Sequence, residues 1–351
     1  MNEIPVDRFR YSFHESANFN NGYKPDIVCA TCESSDHWSD VCPMMIIPKV
    51  ENLSHKKASY EWSELERVII AGYEKSRVKK TRINEVGEFV DRVRVHLQNE
   101  LKKTVRLHMF GSLISGFGVS NSDVDLCFRF EPDEQPLDID GVEIVRQIAQ
   151  HLQQMNEVDK VYAITGAKVP IVKFNWMKLG VEGDISYYNV LALSNTEMLK
   201  KYCSWDSRVA PLGVWIKRWA KSCDIGDASR GSLSSYAFII LLLHYLQNCD
   251  PPVLPRLQEE FRDDNVQPCM VENCDVYFHR EVIPNWSKNQ QSVGELFVGF
   301  LDYYARFDFG TQVCVCLWSS VSDIVAIPQD SIIFAPKPSS YLFVVGNFCV
   351  T

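Results

Sequence analysis

Residues 110–130 read FGSLISGFGVSNSDVDLCFRF, and the fold is predicted from this stretch. In its second half, Asp123 and Asp125 alternate with Val124 and Leu126, as on a strand that covers a core with one face. Two carboxylates on one face repel each other unless a positive charge lies between them. Mg²⁺, or Mn²⁺ in its place, is a hard cation that prefers oxygen ligands. The pair therefore predicts a divalent-metal site, with a solvated acidic strand edge as the alternative.

A third carboxylate favours the metal site. Asp184 lies in the segment EGDIS, and three carboxylates can hold two metal ions that clamp the attacking and leaving oxygens of a phosphoryl displacement. The dipeptide Gly111-Ser112 follows another alternating segment, so it predicts a tight turn after a strand. Such a turn offers backbone N–H groups and a hydroxyl to a triphosphate. Together these features predict a nucleotidyl-transfer site.

These motifs resemble those of the terminal uridylyltransferases and non-canonical poly(A) polymerases, a family of DNA polymerase beta-like nucleotidyltransferases. The family signature is a Gly-Ser turn, an Asp-x-Asp strand and a distant third Asp. The resemblance implies an α+β fold, with a mixed-sheet nucleotidyltransferase domain at residues 60–190 and a mainly helical, poly(A)-polymerase-associated nucleotide-binding domain at 191–318. It also implies that three aspartates are the catalytic ligands of Mg²⁺: Asp123, Asp125 and Asp184.

The same resemblance implies the nucleotide contacts. The matching positions are Gly111, Ser112, Asn189, Asn195, Thr196, Lys217, Lys221, Ser235 and Tyr236. In the family pattern the lysines and serines of this set contact phosphates, Asn195 and Thr196 meet the ribose, and Tyr236 stacks on the base. Asn189 lies near the primer end in that pattern. Stacking accepts any base, so it cannot set base selectivity alone.

Each of these assignments has a plainer alternative. Lys217 and Lys221 are four residues apart and share one helix face, which is usually a solvated face. Beside a triphosphate, however, the same two ammonium groups would neutralise the phosphate oxygens. Without the resemblance, Ser194 or Asn195 would be interpreted as the N-cap of a helix.

Ahead of the transferase motifs, residues 29–42 read CATCESSDHWSDVC, with the spacing Cys-x2-Cys-x4-His-x4-Cys. Four such ligands on a short loop predict a closed, structural Zn²⁺ site formed by Cys29, Cys32, His37 and Cys42. The segment resembles a zinc knuckle, a module that reads unstacked single-stranded bases. It departs from knuckles at Asp36, where a glycine is usual. We therefore assign residues 29–43 to a knuckle that follows a mobile segment, 1–28.

Composition is consistent with these domains. The chain has 351 residues, 46% of them hydrophobic, which suffices for two cores. Three of its 12 cysteines belong to the knuckle and the other nine show no framework spacing, so we expect reduced thiols and a cytoplasmic protein. We expect neither a signal peptide at residues 1–10 nor a membrane span, since the longest apolar run, 236–243, is short.

Charge is unevenly distributed. The net charge is -9, yet residues 67–106 contain eleven Lys or Arg against five Asp or Glu. Salt screens charges beyond about 10 Å, so the local sign decides where RNA could lie. This segment is therefore a candidate RNA-binding surface.

The tail, residues 319–351, departs from the family. Uridylyl-specific members carry a histidine there that helps to reject adenine, whereas the last histidine of this chain is His279. We expect an atypical, incomplete C-terminal segment, so the choice between UTP and ATP stays open.

The sequence as a whole predicts a template-independent transferase that adds UMP from UTP to the 3′ ends of single-stranded RNA. One alternative is a cytoplasmic poly(A) polymerase that uses ATP. Others are a catalytically impaired RNA-binding scaffold and a nucleotidyltransferase that modifies a protein or small molecule. Protein partners in RNA silencing or decay cannot be identified from these residues.

Overall fold

The computed structural model describes residues 59–131, 140–167, 169–228, 232–263, 266–271 and 274–307, with side chains from residue 62 onward. The predictions for the mobile segment, the zinc knuckle and the tail lie outside the described residues. Within them, the chain forms a lobe built on a β-sheet and a lobe built of helices, each with its own apolar core.

One mixed sheet of five strands organises the first lobe. The strands are β1 (Val105–Phe110), β2 (Val124–Phe130), β3 (Val158–Ile164), β4 (Ile171–Trp176) and β5 (Val181–Tyr187). Their order across the sheet is β1-β2-β5-β4-β3, in which β2 and β5 run parallel and the other neighbours are antiparallel. The predicted α+β class and mixed sheet are confirmed.

Two helices pack on this sheet. They are α2 (Lys80–Leu101) and α4 (Gly141–Leu152), and the four-residue helix α3 (Ser112–Ser115) follows β1. The apolar stripe of α4 faces the core, since Val145, Ile148, Ala149 and Leu152 are all buried. Asp140 caps this helix by accepting a hydrogen bond from the N–H of Val142.

The helical lobe contains α1 (Ser59–Ser76), α5 (Val190–Trp205), α6 (Val209–Ser222), α7 (Ser235–Asn248) and α8 (Val293–Ala305). The two-residue strands β6 (Met270–Val271) and β7 (Cys274–Asp275) form a small hairpin. Although α1 precedes the sheet in the chain, it packs against α6 and α8, and Ile69 lies in the helical core. None of the described helices is long and apolar enough to cross a membrane.

Candidate active site

Strand register brings the carboxylates together. The parallel pair β2 and β5 places Asp125 directly opposite Asp184, and Asp123 immediately precedes β2. A slip of one residue in either strand would turn its carboxylate to the other face of the sheet. Because buried neighbours such as Leu126 and Ile185 hold the register, the two side chains stay on the same face.

The three carboxylates lie in an environment that opposes their ionisation. Burial, followed by the charges of Asp184 and Asp123, raises the pKa of Asp125 from 3.8 to about 7. Burial and the charges of Glu182 and Asp184 raise the pKa of Asp123 as well. Burial also raises the pKa of Asp184, against the opposing effect of Lys173. Added positive charge would relieve this repulsion, so the donor set suits a hard divalent cation.

Geometry alone does not identify a metal centre. In the part of the chain that the structure describes, no three His, Cys, Asp or Glu side chains converge as a metal-binding group. The magnesium assignment therefore rests on the strand register and on the charge of the three aspartates.

Sequence reasoning missed a cation at this site, Lys173. Strand β4 pairs Lys173 with Asp184 on β5, and the Nζ to Oδ1 distance is 3.2 Å. Both side chains are about one-third exposed. Burial lowers the pKa of Lys173, but the carboxylate of Asp184 outweighs it, and the net shift is upward. The alternation of Lys173 with the buried residues Val172 and Phe174 was the available signal.

The predicted Gly-Ser turn lies against the carboxylates. Gly111 has φ +74°, a backbone conformation that favours glycine, and a Cβ built there would be 2.0 Å from Asp125 Oδ2. Its N–H donates to Thr196 Oγ1 at 2.9 Å, and the Thr196 hydroxyl donates to the carbonyl of Ala192 at 2.8 Å. Thr196, predicted to contact ribose, thus ties the turn to α5. Ser112 is partly exposed at the start of α3.

The start of α5 corrects one sequence alternative. Asn189 is the N-cap, and its side-chain oxygen accepts the N–H of Ala192 at 3.4 Å. Ser194 and Asn195 lie inside the helix, so the alternative that made either of them a cap is wrong. Asn195 is buried, with 8% of its surface exposed. Its predicted ribose contact and the primer role of Asn189 remain predictions.

Helix α6 brings two cations toward the carboxylates. Lys217 Nζ donates to the carbonyl of Phe117 at 3.0 Å, which joins the helical lobe to the sheet lobe. Burial and the charge of Lys221 lower the pKa of Lys217 to about 8, against the opposing effect of Asp125 and Asp123. The two lysines are close enough to the carboxylates to affect their pKa values.

Helix α7 begins directly after Ser234. Ser234 caps it by accepting the N–H of Ala237 at 3.1 Å, and Ser235 is its first residue. Tyr236 is partly exposed and packs against the helical core. The predicted contacts of Ser235 with a phosphate and of Tyr236 with the base remain predictions. The four zinc ligands lie outside the described residues.

Comparison with known proteins agrees with this geometry. Residues 65–204 match the family model described as poly(A) RNA polymerase, mitochondrial-like, central palm domain. Terminal uridylyltransferase 4 of Homo sapiens is 36% identical over 318 residues, which cover 88% of this chain and 19% of that protein. Poly(A) RNA polymerase GLD2-A of Xenopus laevis is 34% identical over 268 residues, covering 74% of this chain and 49% of that protein.

Solved structures show the same fold. A structure of the Cid1 poly(U) polymerase superposes with a TM-score of 0.62 at 29% identity, covering 72% of this chain and 76% of that one. A Cid1 structure with bound Mg 3′-dATP gives 0.62 at 30% identity and covers 71% and 76%. The chain spans only about one fifth of the uridylyltransferases and about half of the poly(A) polymerases that it matches.

Proposed function

The chain belongs to the family of terminal uridylyltransferases and non-canonical poly(A) polymerases, and on this premise we propose that it is an RNA 3′-terminal nucleotidyltransferase. It would add UMP from UTP to the 3′ ends of single-stranded RNA without a template. The observation that carries the proposal is the parallel register that pairs Asp125 with Asp184 beside Asp123, with Lys217 close by.

The donor set fits the metal that such chemistry requires. Asp123, Asp125 and Asp184 would hold Mg²⁺, or Mn²⁺ in its place, because their mutual repulsion and partial burial favour a bound cation. Cid1 structures bear MgATP and MgGTP. When bound, the metal supplies positive charge that favours ionisation of the RNA 3′ hydroxyl and neutralises the leaving pyrophosphate.

The remaining residues would bind and orient the nucleotide. Lys217 and Lys221 would neutralise the triphosphate, which carries the charge that develops on the leaving group. The hydroxyls of Ser112 and Ser235 would add hydrogen bonds to the phosphates. Asn195 and Thr196 would hold the ribose, and Tyr236 would stack on the base. The protein contributes positioning and charge, with no covalent intermediate.

Two nucleotides, UTP and ATP, are candidates for the substrate. The uridylyltransferase relatives and the Cid1 poly(U) polymerase favour UTP. The GLD2 poly(A) RNA polymerases, 34–37% identical, favour ATP. A site rejects a wrong base strongly when that base leaves a buried polar group unpaired, and stacking on Tyr236 does not do this. We place UTP first and keep ATP as the alternative.

A labelled single-stranded RNA incubated with Mg²⁺ and each of the four NTPs in turn tests this function. We expect extension with UTP and none after metal chelation. Extension with ATP alone would establish the poly(A) alternative. RNA binding without extension by any NTP would favour the scaffold, and labelling of a protein or small molecule in place of RNA would favour the remaining rival.

We propose further that residues 29–43 bind one structural Zn²⁺ and assist RNA binding, and that the protein acts in the cytoplasm. The support is the Cys-x2-Cys-x4-His-x4-Cys spacing. Metal analysis of the purified protein should find one zinc per chain, which Cys32→Ser should release with a loss of RNA affinity and no change in UTP affinity. Absence of zinc from the wild-type protein would contradict the knuckle, and fractionation of cells tests the location.

A further inference from the structure

A polar groove opens beside Asp123 on the sheet lobe. It lies between the start of α2, the loop that joins β1 to β2 and the turn that joins β4 to β5. Its charged and polar lining residues are Arg82, Glu85, Ser120, Asn121, Asp123 and Glu182. We call it the Arg82 groove. All of its lining residues belong to the sheet lobe, so Lys217 and Lys221 of α6 lie outside it.

The loop wall of the groove is held by backbone bonds. Ser120 N–H donates to the carbonyl of Ser76 at 2.8 Å, and Arg77 forms a bridge with Val119. Ser122 accepts the N–H of Val119 through its hydroxyl at 2.9 Å and is itself buried. The loop that leads into Asp123 is therefore attached to the residues that precede α2, and the groove keeps its shape without a ligand.

The opposite wall is held by an ion pair and a tight turn. Lys178 Nζ lies 2.7 Å from Glu85 Oε1, which joins the turn to α2. Gly180 has φ +59° and donates its N–H to the carbonyl of Trp176 at 2.9 Å. A Cβ at Gly180 would meet no heavy atom within 4 Å, so the groove is open at this residue. Glu85 pairs with Lys178, and its charge also acts on Arg82.

Arg82 is the cationic residue of the lining. Its guanidinium lies over the ring of Trp176 at 5.8 Å, and that ring stacks on Phe89 at 4.2 Å. Within the described residues its Nε is buried and has no hydrogen-bond partner. Burial lowers the pKa of Arg82, as expected for a guanidinium that has lost water. An anion in the groove would supply the missing acceptor.

The charge of the groove limits what that anion can be. Three carboxylates line the same space, Asp123, Glu182 and the Lys178-paired Glu85, so a triphosphate with several negative charges is disfavoured there. A single phosphodiester needs one guanidinium, and Ser120 and Asn121 are exposed and can add hydrogen bonds. In an in-line displacement the attacking hydroxyl and the leaving pyrophosphate lie on opposite sides of the reacting phosphorus. In the proposed function the α6 lysines bind the pyrophosphate. The groove therefore remains available for the attacking RNA strand.

We propose that the Arg82 groove binds the 3′-terminal stretch of the acceptor RNA, with Arg82 contacting a backbone phosphate close to the 3′ end. This proposal rests on the proposed function of the site. It gives the acceptor a place on the sheet lobe, next to the carboxylate that stands at the start of β2.

The test compares Arg82→Met with Arg146→Met, an equal change of charge on α4, where Arg146 lies on the helix surface beside Glu143. Binding of a fluorescent single-stranded RNA is measured by anisotropy at several salt concentrations, with Mg²⁺ and no NTP. We expect Arg82→Met to weaken RNA binding by about 10-fold and to reduce the salt slope by about 0.7 to 1. UTP affinity should stay within about twofold of wild type, since the change lies outside the phosphate site.

The outcomes separate this proposal from the proposed function. RNA affinity and salt slope unchanged in Arg82→Met, or reduced equally in Arg146→Met, would overturn the groove. Absence of RNA extension by the wild-type protein with all four NTPs would overturn the function, while the anisotropy comparison would still decide the groove. Arg82→Lys, which keeps the charge and loses the fork of donors, should restore part of the affinity.

A measurement on the wild-type protein covers the case in which Arg82→Met does not fold. An RNA with 4-thiouridine at its penultimate position is bound and irradiated, and the cross-linked peptides are identified. We expect cross-links within residues 79–92, 117–123 or 177–184. Cross-links confined to the helical lobe would overturn the proposal.

Discussion

The carboxylates of the site come from the sheet lobe and Lys217 and Lys221 from the helical lobe, and the two lobes hold these groups by different means. In the sheet lobe, Asp125 and Asp184 are placed by backbone pairing of β2 with β5. In the helical lobe, Lys217 lies on α6, and its Nζ meets the carbonyl of Phe117, a residue of the β1–β2 loop whose side chain packs into the helical core. The carboxylates are therefore as rigid as the sheet, whereas Lys217 depends on the contact between α6 and the β1–β2 loop.

The difference predicts two classes of variant. Changes to the sheet carboxylates should abolish turnover and leave nucleotide affinity and folding largely intact. Changes to α6 or to its contact with Phe117 should alter nucleotide affinity or stability, with a smaller effect on the chemical step.

Asp125→Ala should have the largest effect. We expect turnover to fall by more than about 100-fold, since charge stabilisation worth several kcal/mol is lost. RNA extension measured under saturating UTP checks this, with Asp91→Ala on the exposed side of α2 as the control. Retention of more than a few percent of wild-type turnover would remove Asp125 from the metal site.

The same variant should not unfold the protein. Because the folded pKa of Asp125 is raised from 3.8 to about 7, the folded state holds this proton more tightly than the unfolded state does. Its contribution to stability therefore decreases as the pH rises from about 4 to about 7. In metal-free buffer at pH 8, thermal unfolding of Asp125→Ala should occur at or above the wild-type temperature, and a clear decrease would contradict the burial of an unfavourable charge.

Lys217→Met should have the second-largest effect, and this effect should be on UTP binding. Loss of a charged partner to the triphosphate is expected to weaken UTP binding by about 10- to 100-fold. Titration calorimetry with a non-hydrolysable UTP analogue measures this, and Lys200→Met on the exposed face of α5 is the control. Equal losses in both variants would indicate general electrostatics and no specific phosphate contact.

Lys217 should also give UTP affinity a pH dependence. Burial and Lys221 lower the pKa of its ammonium group to about 8, and the triphosphate prefers the protonated form. The Kd for UTP should therefore increase as the pH rises through about 8, and binding above that pH should take up a proton. The Lys217→Met variant should lose this dependence between pH 7 and 9.5, and its persistence there would assign the titration to another group.

Gly213→Ala tests the contact between the lobes. A Cβ at this position in α6 would lie 2.3 Å from the ring of Phe117, whose carbonyl accepts from Lys217. We expect a loss of stability of about 1 to 3 kcal/mol from overpacking, together with a raised KM for UTP.

Gly87→Ala is the matched control, since Gly87 also lies in a helix but its Cβ would meet only Met109 Cε at 4.0 Å. That change should stabilise by about 1 kcal/mol through helix propensity. Denaturant unfolding of both variants gives the comparison, and shifts of the same sign would show that Gly213 makes no special contact.

Asn189→Ala should have the smallest effect and addresses the junction between the lobes. Loss of the α5 cap should cost about 1 kcal/mol, and Asn189→Ser should restore most of it. Thermal unfolding and the KM for RNA are measured for both variants. A raised KM for RNA in Asn189→Ser, with stability restored, would support the predicted position near the primer end, whereas a normal KM would leave Asn189 as a cap alone.

Most of the fold could be derived from local patterns. The alternation around Asp125 marked β2, and the apolar stripe from Val145 to Leu152 marked α4, because one face of each element had to be buried. Lys217 and Lys221 followed from helical spacing. The alternative that made Ser194 or Asn195 a cap is wrong because the apolar residues before them, 190–193, already belong to the helix, whose N-cap is Asn189.

The sequence alone indicated which groups the candidate site contains: three carboxylates, a Gly-Ser turn and paired lysines. Each was recognised from a local period or spacing. The residues that these groups contact, by contrast, depend on the tertiary structure. The order β1-β2-β5-β4-β3 places Lys173 beside Asp184, and the loop attached to Ser76 brings Asp123 to the same groove as Arg82. Strand order and loop attachment depend on contacts between residues distant in the chain. A periodicity within one segment carries no information about them.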